Sequence, residues 1–255
     1  MHRTKTVGRD QWPGVRIGWK DVLVTDLSTV GIRVRTAADR LRRAESLFEA
    51  SLRVQNAGPD LQLAVDDVVQ QQRSALDFLA NRLVEHATGG PAKQVAYPME
   101  RSESEYNGKA DRLMPGVRAS RPDIMAIVRL HQRWQPGYEW LGQLNELVNR
   151  GKHVDLVPQT RQETPHTEVT RPGSGSVSWT SGVTFGAGVS VMGAAMDPRT
   201  QLPVPTPGVK VTRTVYVDWL LPDGRSALGA LRQFQAGLEL LVSEIAQIAG
   251  MPWPA

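Results

Sequence analysis

Gln72-Arg73-Ser74-Ala75-Leu76-Asp77-Phe78-Leu79-Ala80 lies within the longest helical pattern of the chain. Around it Leu61, Val65, Val68, Val69, Leu76, Leu79 and Leu83 keep to one side, from Asp60 to the break at Gly89-Gly90-Pro91. Apolar residues three and four apart share one helix face, so the run predicts a long, central, amphipathic helix. Arg73 and Asp77 stand four apart on it, close enough to pair.

The flanking sequence supplies neighbours for that stripe. Upstream, Thr36 and Asp39 read as a capping box that opens a helix with Leu41, Ala44, Phe48 and Leu52 on one face, stopped by Asn56-Ala57-Gly58-Pro59. Downstream, residues 88 to 119 read as a connection over the bundle with one short helix and turns at Tyr97-Pro98, Asn107-Gly108 and Met114-Pro115-Gly116. Ser120 and Asp123 read as a second capping box, followed by Ile124, Ile127, Val128 and His131 at helical spacing. After Gln135-Pro136-Gly137, the series Tyr138, Leu141, Leu144, Leu147 and Val148 makes a further helix that stops at Asn149-Arg150-Gly151-Lys152-His153.

Beyond His153 the period changes from helical to alternating. Thr167 to Arg171, Ser176 to Thr180 and Val183 to Met192 are predicted strands. The clearest is Val209 to Trp219, where valines alternate with polar residues and one face is expected to be buried. Asp197 to Pro207 reads as an exposed, proline-rich extended loop. Helical spacing returns at Ser226 with Leu228, Leu231, Phe234, Leu238, Leu241, Ile245 and Ile248, up to Gly250.

The expected fold is mainly α: a helical bundle with a small antiparallel β insertion before the C-terminal helix, an α+β arrangement. Residues 1–35 form a basic N-terminal arm and lead-in, 36–157 the bundle and 158–222 the β-rich insertion. Residues 223–250 form a C-terminal helix packing back on the bundle, and 251–255 a tail.

Composition bounds the chemistry. At 255 residues, 40% hydrophobic and 22% charged, the chain is ordinary for a globular protein. Having no cysteine, it holds no disulfide, iron–sulfur cluster or thiolate zinc site. Its apolar runs fall short of a membrane span, and Trp12-Pro13-Gly14-Val15-Arg16 interrupts any signal core, so no membrane association and a cytoplasmic location are expected. Residues 1 to 20 carry five cations against one carboxylate, the chain's whole excess of +4. Such an arm is drawn to phosphate or acidic lipid, although basic tails are commonly just solvated. A second basic stretch, Lys109 to Arg133, lies in the folded region.

No phosphate-loop or HExxH motif is present, and Gly186-Ala187-Gly188 lacks the following helix that a dinucleotide fingerprint requires. No cofactor and no metal are therefore expected. The candidate catalytic residues are His153, Asn149, Lys152 and Arg150 at the helix end, with Asp77 and Arg73 forming the other side of one polar seam. His153 would exchange protons near neutral pH, Lys152 or Arg150 would neutralise a phosphate, Asn149 would bind a reacting oxygen, and Asp77 would orient the imidazole. These groups suffice for metal-free RNA cleavage, in which the ribose 2′-hydroxyl attacks its own phosphate. A plainer reading of the same residues is a helix C-cap, with Gly151 ending the helix and Lys152 and His153 offsetting its dipole.

The pairing of Arg73-Ser74-Ala75-Leu76-Asp77 with Leu147-Val148-Asn149-Arg150-Gly151-Lys152-His153, joined through the turn at Gln135-Pro136-Gly137-Tyr138, resembles a widespread group of bacterial proteins over residues 36 to 157. That group is similar to the HEPN superfamily, helical bundles that include ribonucleases of toxin and phage-defence systems. The resemblance implies a metal-independent endoribonuclease or RNA-binding protein, with RNA and a second copy of the chain as partners. HEPN nucleases carry RxxxxH, whereas here Arg150 precedes His153 by three positions and Arg82 precedes His86 by four. Gly151 and Val154 stand where the group carries an acidic residue and an arginine. The alternative function is a non-catalytic protein-interaction module that docks a protein partner through the β insertion and its proline-rich loop.

Overall fold

The computed structural model describes residues 26–52, 58–91, 93–153 and 159–253, with backbone alone at 151–153. Helix α1 (Ser28–Ser51) lies along α2 (Pro59–Thr88), and α7 (Ala227–Ala249) packs on both. Helix α6 (Glu139–His153) packs against α2 and α7, and α5 (Pro122–Leu130) against α7. Leu41 of α1, Leu76, Leu79 and Leu83 of α2, Leu144 of α6 and Leu231, Phe234 and Leu241 of α7 belong to one buried core. Each occupies the stripe its spacing predicts, which is how the C-terminal helix returns to the bundle. Pro59 starts α2 where a missing N–H costs nothing, and Gly89, at φ 75°, supplies its left-handed end.

Two buried glutamines tie the three long helices together. Gln72 Nε2 donates to the Leu231 carbonyl at 3.1 Å, and Gln235 Nε2 donates to the Val34 carbonyl at 3.2 Å. Buried amides of this kind persist because their donors are satisfied.

The helix starts differ from expectation. Helix α1 begins at Ser28, well before Thr36, because Val30, Val34 and Ala37 carry its buried face upstream. Thr36 Oγ1 donates to the Ile32 carbonyl at 2.8 Å inside the helix, and Asp39 pairs with Arg42, so neither caps anything. The start is held by Asp26, whose Oδ1 accepts both the N–H and the hydroxyl of Ser28, at 3.2 and 2.7 Å. Helix α5 likewise begins at Pro122, whose fixed φ suits a first turn. Ser120 belongs to the preceding α4 (Val117–Ser120), and Asp123 pairs with Arg121 at 2.7 Å. The connection after α2 holds two helices rather than one, α3 (Glu103–Leu113) and α4. Ser102 Oγ caps α3 by accepting the Glu105 N–H at 3.3 Å.

Strands β1 (Thr160–Arg171), β2 (Gly175–Thr180) and β6 (Lys210–Leu220) form an antiparallel sheet in the order β2-β1-β6. Val169 stands opposite Val177 on one side and Val211 on the other. Strands β3 (Ser190–Val191), β4 (Ala194–Asp197) and β5 (Leu202–Pro203) make a second, smaller sheet. The expected strand over 183–192 reduces to β3, since the rest of it is irregular backbone and turn. The proline-rich loop is not wholly exposed, because Leu202-Pro203 pairs with β4 and Pro203 is buried.

Strand β6 also departs from its expected buried face. Trp219 is buried, but Val211 and Val215 are 41% and 46% exposed. Alternation identifies a sheet face without saying what covers it, and here only the end against the helices is covered. At that end Trp219 Nε1 donates to Ser51 Oγ at 2.7 Å and the Arg161 guanidinium donates to the Leu52 carbonyl at 2.8 Å. The sheet is thereby fastened to the C-terminal end of α1.

Candidate functional site

Arg73 and Asp77, one turn apart on α2, form a two-point ion pair with N–O distances of 3.1 and 3.0 Å. Asp77 Oδ1 also accepts the Tyr97 N–H at 3.0 Å. That bond fixes an extended strap over residues 95–100, which Pro98 favours by keeping Tyr97 out of helical geometry. The Ala96 N–H donates to the Leu113 carbonyl at 3.2 Å. Gln132 accepts the Glu100 N–H at 3.3 Å and donates to the Pro98 carbonyl at 3.0 Å. Asn145 Nδ2 of α6 reaches the Met99 carbonyl at 3.4 Å.

This strap floors an open cleft of about 410 Å³ whose lining includes Arg73, Glu100, Arg101, Lys109 and Asn145. Glu100, with its side chain only 11% exposed, holds the Lys109 ammonium at 2.6 Å. That hydrogen bond raises the Lys109 pKa above its ordinary value, so the lysine stays charged. Glu105 Oε2 accepts the Arg101 N–H at 3.1 Å and lies 4.0 Å from Lys109. Both carboxylates are thus engaged, while the guanidinium of Arg73, gripped on one edge by Asp77, lines the cavity. The Tyr97 phenol is fully buried, and burial pushes its pKa well up, which removes it as a base.

The six expected site residues divide into three groups. Arg73 and Asp77 are brought together. Asn149 and Arg150 are exposed on α6 and do not line the cleft; Asn145, one turn earlier, does. Lys152 and His153 lie on the last turn of α6 with side chains outside the described residues, as is the basic arm at residues 1–20. Helix α6 stays helical through Gly151 to His153, so the expected stop at Gly151 is absent. At 1.5 Å per residue, His153 stands about 12 Å beyond Asn145 along the helix.

Sequence reading missed Asn145, Arg101, Lys109 and Glu100 as lining. Asn145 was visible at helical spacing from Asn149. The others depend on how the strap crosses α2, α3 and α6, which no local pattern encodes.

The remaining described histidines have other partners. His131 is fully buried, with Nε2 2.8 Å from Glu244 and its ring against Tyr138. His86 meets the Arg121 guanidinium at 2.9 Å, and desolvation together with that cation lowers its pKa. Among the described residues no group of His, Cys, Asp and Glu is placed to hold a metal ion, and no helix is long and apolar enough to cross a membrane. No protein-family model, curated protein or solved structure matches the chain.

Proposed function

We propose that this chain is a HEPN-like protein that binds RNA at the cleft between α2, α3 and α6 and cleaves it by metal-independent acid–base chemistry. The observation that carries the reading is the meeting of Arg73, Arg101 and Lys109 around an open cavity, where Asp77 holds Arg73, Glu100 holds Lys109 and the Arg101 guanidinium has no ion pair among the described residues. Cations grouped in this way take phosphate oxygens, and a guanidinium held by a carboxylate is set in place before the ligand arrives.

In this reading Arg73 anchors a phosphate and Asp77 positions Arg73. Asn145, rather than Asn149, borders that anchoring end. His153, about 12 Å further along α6 by helical rise, acts as proton acceptor on a different linkage of the same strand. The 2′-oxygen gives its proton to the imidazole and attacks its own phosphorus, the 5′-oxygen leaves as it takes up a proton, and a 2′,3′-cyclic phosphate remains. The test is incubation of a mixed RNA pool in metal-free buffer. Wild type should cleave it and a folded His153→Ala variant should not; equal cleavage by both rules out the assignment.

A second reading, a protein-interaction module, is favoured by one observation. Among the described residues, seven of the twelve exposed large hydrophobic side chains, Val177, Val211, Val215 and Tyr216 among them, lie on the β insertion. Deleting Asp197 to Pro207 should then abolish recovery of a different protein partner in a pull-down while leaving RNA binding intact.

A further inference from the structure

We propose that the outer edge of β6 is a self-association surface, on which a second copy of the chain adds its own β6 antiparallel about Thr214 to join two three-stranded sheets into one of six. The proposal rests on the interaction reading of the insertion and is independent of the RNA reading.

Among the described strands, β6 pairs with β1 alone and forms an edge of its sheet. Which backbone groups point outward follows from its end. Leu220 bridges Thr160 on one side and Ser226 on the other, and the Leu221 N–H donates to the Arg225 carbonyl at 2.8 Å on that second side. In an antiparallel ladder the direction alternates, so Val211, Arg213, Val215 and Val217 turn their N–H and C=O groups away from β1. The same alternation explains Pro165: opposite Val215 it sits at a non-hydrogen-bonded position, where its missing N–H is not needed.

The free stretch is bounded at both ends. Pro207-Gly208 precedes Lys210, and beyond Asp218 the outer side is taken by the turn at residues 221–226. Its midpoint is Thr214. Antiparallel pairing of two copies about Thr214 sets Lys210 of each opposite Asp218 of the other, Thr212 opposite Tyr216, and Val211 opposite Val217. Lys210 is exposed, and the contacts of Asp218 among the described residues are with the Trp219 N–H and the Ser226 hydroxyl. The ends of the edge therefore carry opposite charges in the register that uses all of it, and opposite charges across strands favour pairing.

The residues between suit a strand. Val211, Val215 and Tyr216 are 41%, 46% and 57% exposed, and no proline interrupts 210–220. Edge strands left open carry inward charges, prolines or bulges that discourage pairing. The one charge in the middle, Arg213, lines a small cavity with Pro165, Thr167 and Trp179, which draws it back over β1 and away from the edge.

The chain has no cysteine, which makes the register directly testable. In full-length Thr214→Cys the two sulfurs would face each other across a non-hydrogen-bonded pair, where the Cα separation of about 4.5 Å suits a disulfide. Mild oxidation should give a covalent dimer on a non-reducing gel, whereas Ser178→Cys, on the far strand β2, should stay monomeric. Sedimentation velocity of the wild type should show a dimer, and Val215→Pro, which removes an outward N–H but no bond to β1, should weaken it at least about tenfold. A monomeric wild type, equal cross-linking at both cysteines, or a dimer indifferent to Val215→Pro overturns the proposal. Deleting Asp197 to Pro207 leaves the β6 edge in place, so failure of the wider interaction reading is scored separately.

Discussion

The carboxylate of Asp77 accepts the backbone N–H of Tyr97 at 3.0 Å, joining α2 to a strap 20 residues further along the chain. The same oxygen lies 3.0 Å from the Arg73 guanidinium, so one side chain both seats the strap and aims the cation. Asp77→Ala leaves a backbone donor and a guanidinium without their acceptor, which costs about 1–3 kcal/mol. Urea unfolding should show a lower midpoint, with the loss smaller in Asp77→Asn, which keeps a carbonyl acceptor.

Ser51 makes the corresponding connection for the sheet, since its hydroxyl accepts the indole N–H of the buried Trp219 at 2.7 Å. Ser51→Ala strands that donor away from water and should destabilise the protein by about 1–3 kcal/mol. Trp219 fluorescence should shift while far-ultraviolet circular dichroism stays near wild type.

Gly237 of α7 lies against the Trp140 ring of α6, where an added methyl would meet Cε2 and Cδ2. Alanine favours a helix over glycine by about 1 kcal/mol, but forcing a methyl into a packed aromatic contact costs about 1–3 kcal/mol. Packing should win, and Gly237→Ala should lower the melting temperature. A rise would mean that Trp140 moves freely.

His86 gives the protein a pH dependence. Burial and Arg121 lower its folded pKa below the ordinary 6.5, so the folded state disfavours its protonation. Stability from this group is complete above about pH 6.5 and is lost as pH falls from there through the folded pKa. Carboxylates such as Asp123, lowered by its bond to Arg121, act only below 3.8, outside that window. Between pH 7.5 and 5.5 the wild type should lose more melting temperature than His86→Gln; parallel curves would contradict this.

Elements with a continuous apolar stripe were legible in the sequence. Helices α2 and α7 run where Leu61 to Leu83 and Leu228 to Ile248 place them, because burial along one face dictates both period and length. Starts were less legible: Thr36 and Asp39 match a capping pattern, but Val30 and Val34 upstream bury enough surface to carry α1 through them. In β6 the alternation was correct and its burial was not, since Val211 and Val215 stay 41% and 46% exposed. For the site, the Arg73–Asp77 pair follows from spacing on one helix, while Asn145 joins it through a long-range bond to the Met99 carbonyl, and Arg101 and Lys109 through contacts with Glu105 and Glu100 that depend on the course of the strap.

RNA binding at the cleft is tested most directly by the dissociation constant of a fluorescein-labelled RNA single strand in metal-free buffer. It should be measured across a salt series for wild type and for Arg101→Ala/Lys109→Ala. The double variant should bind about tenfold more weakly, with the slope of log K against log salt shallower by about 1.4, at about 0.7 per phosphate contact on single strands. Identical constants and slopes, or no binding by wild type at low salt, would contradict the assignment.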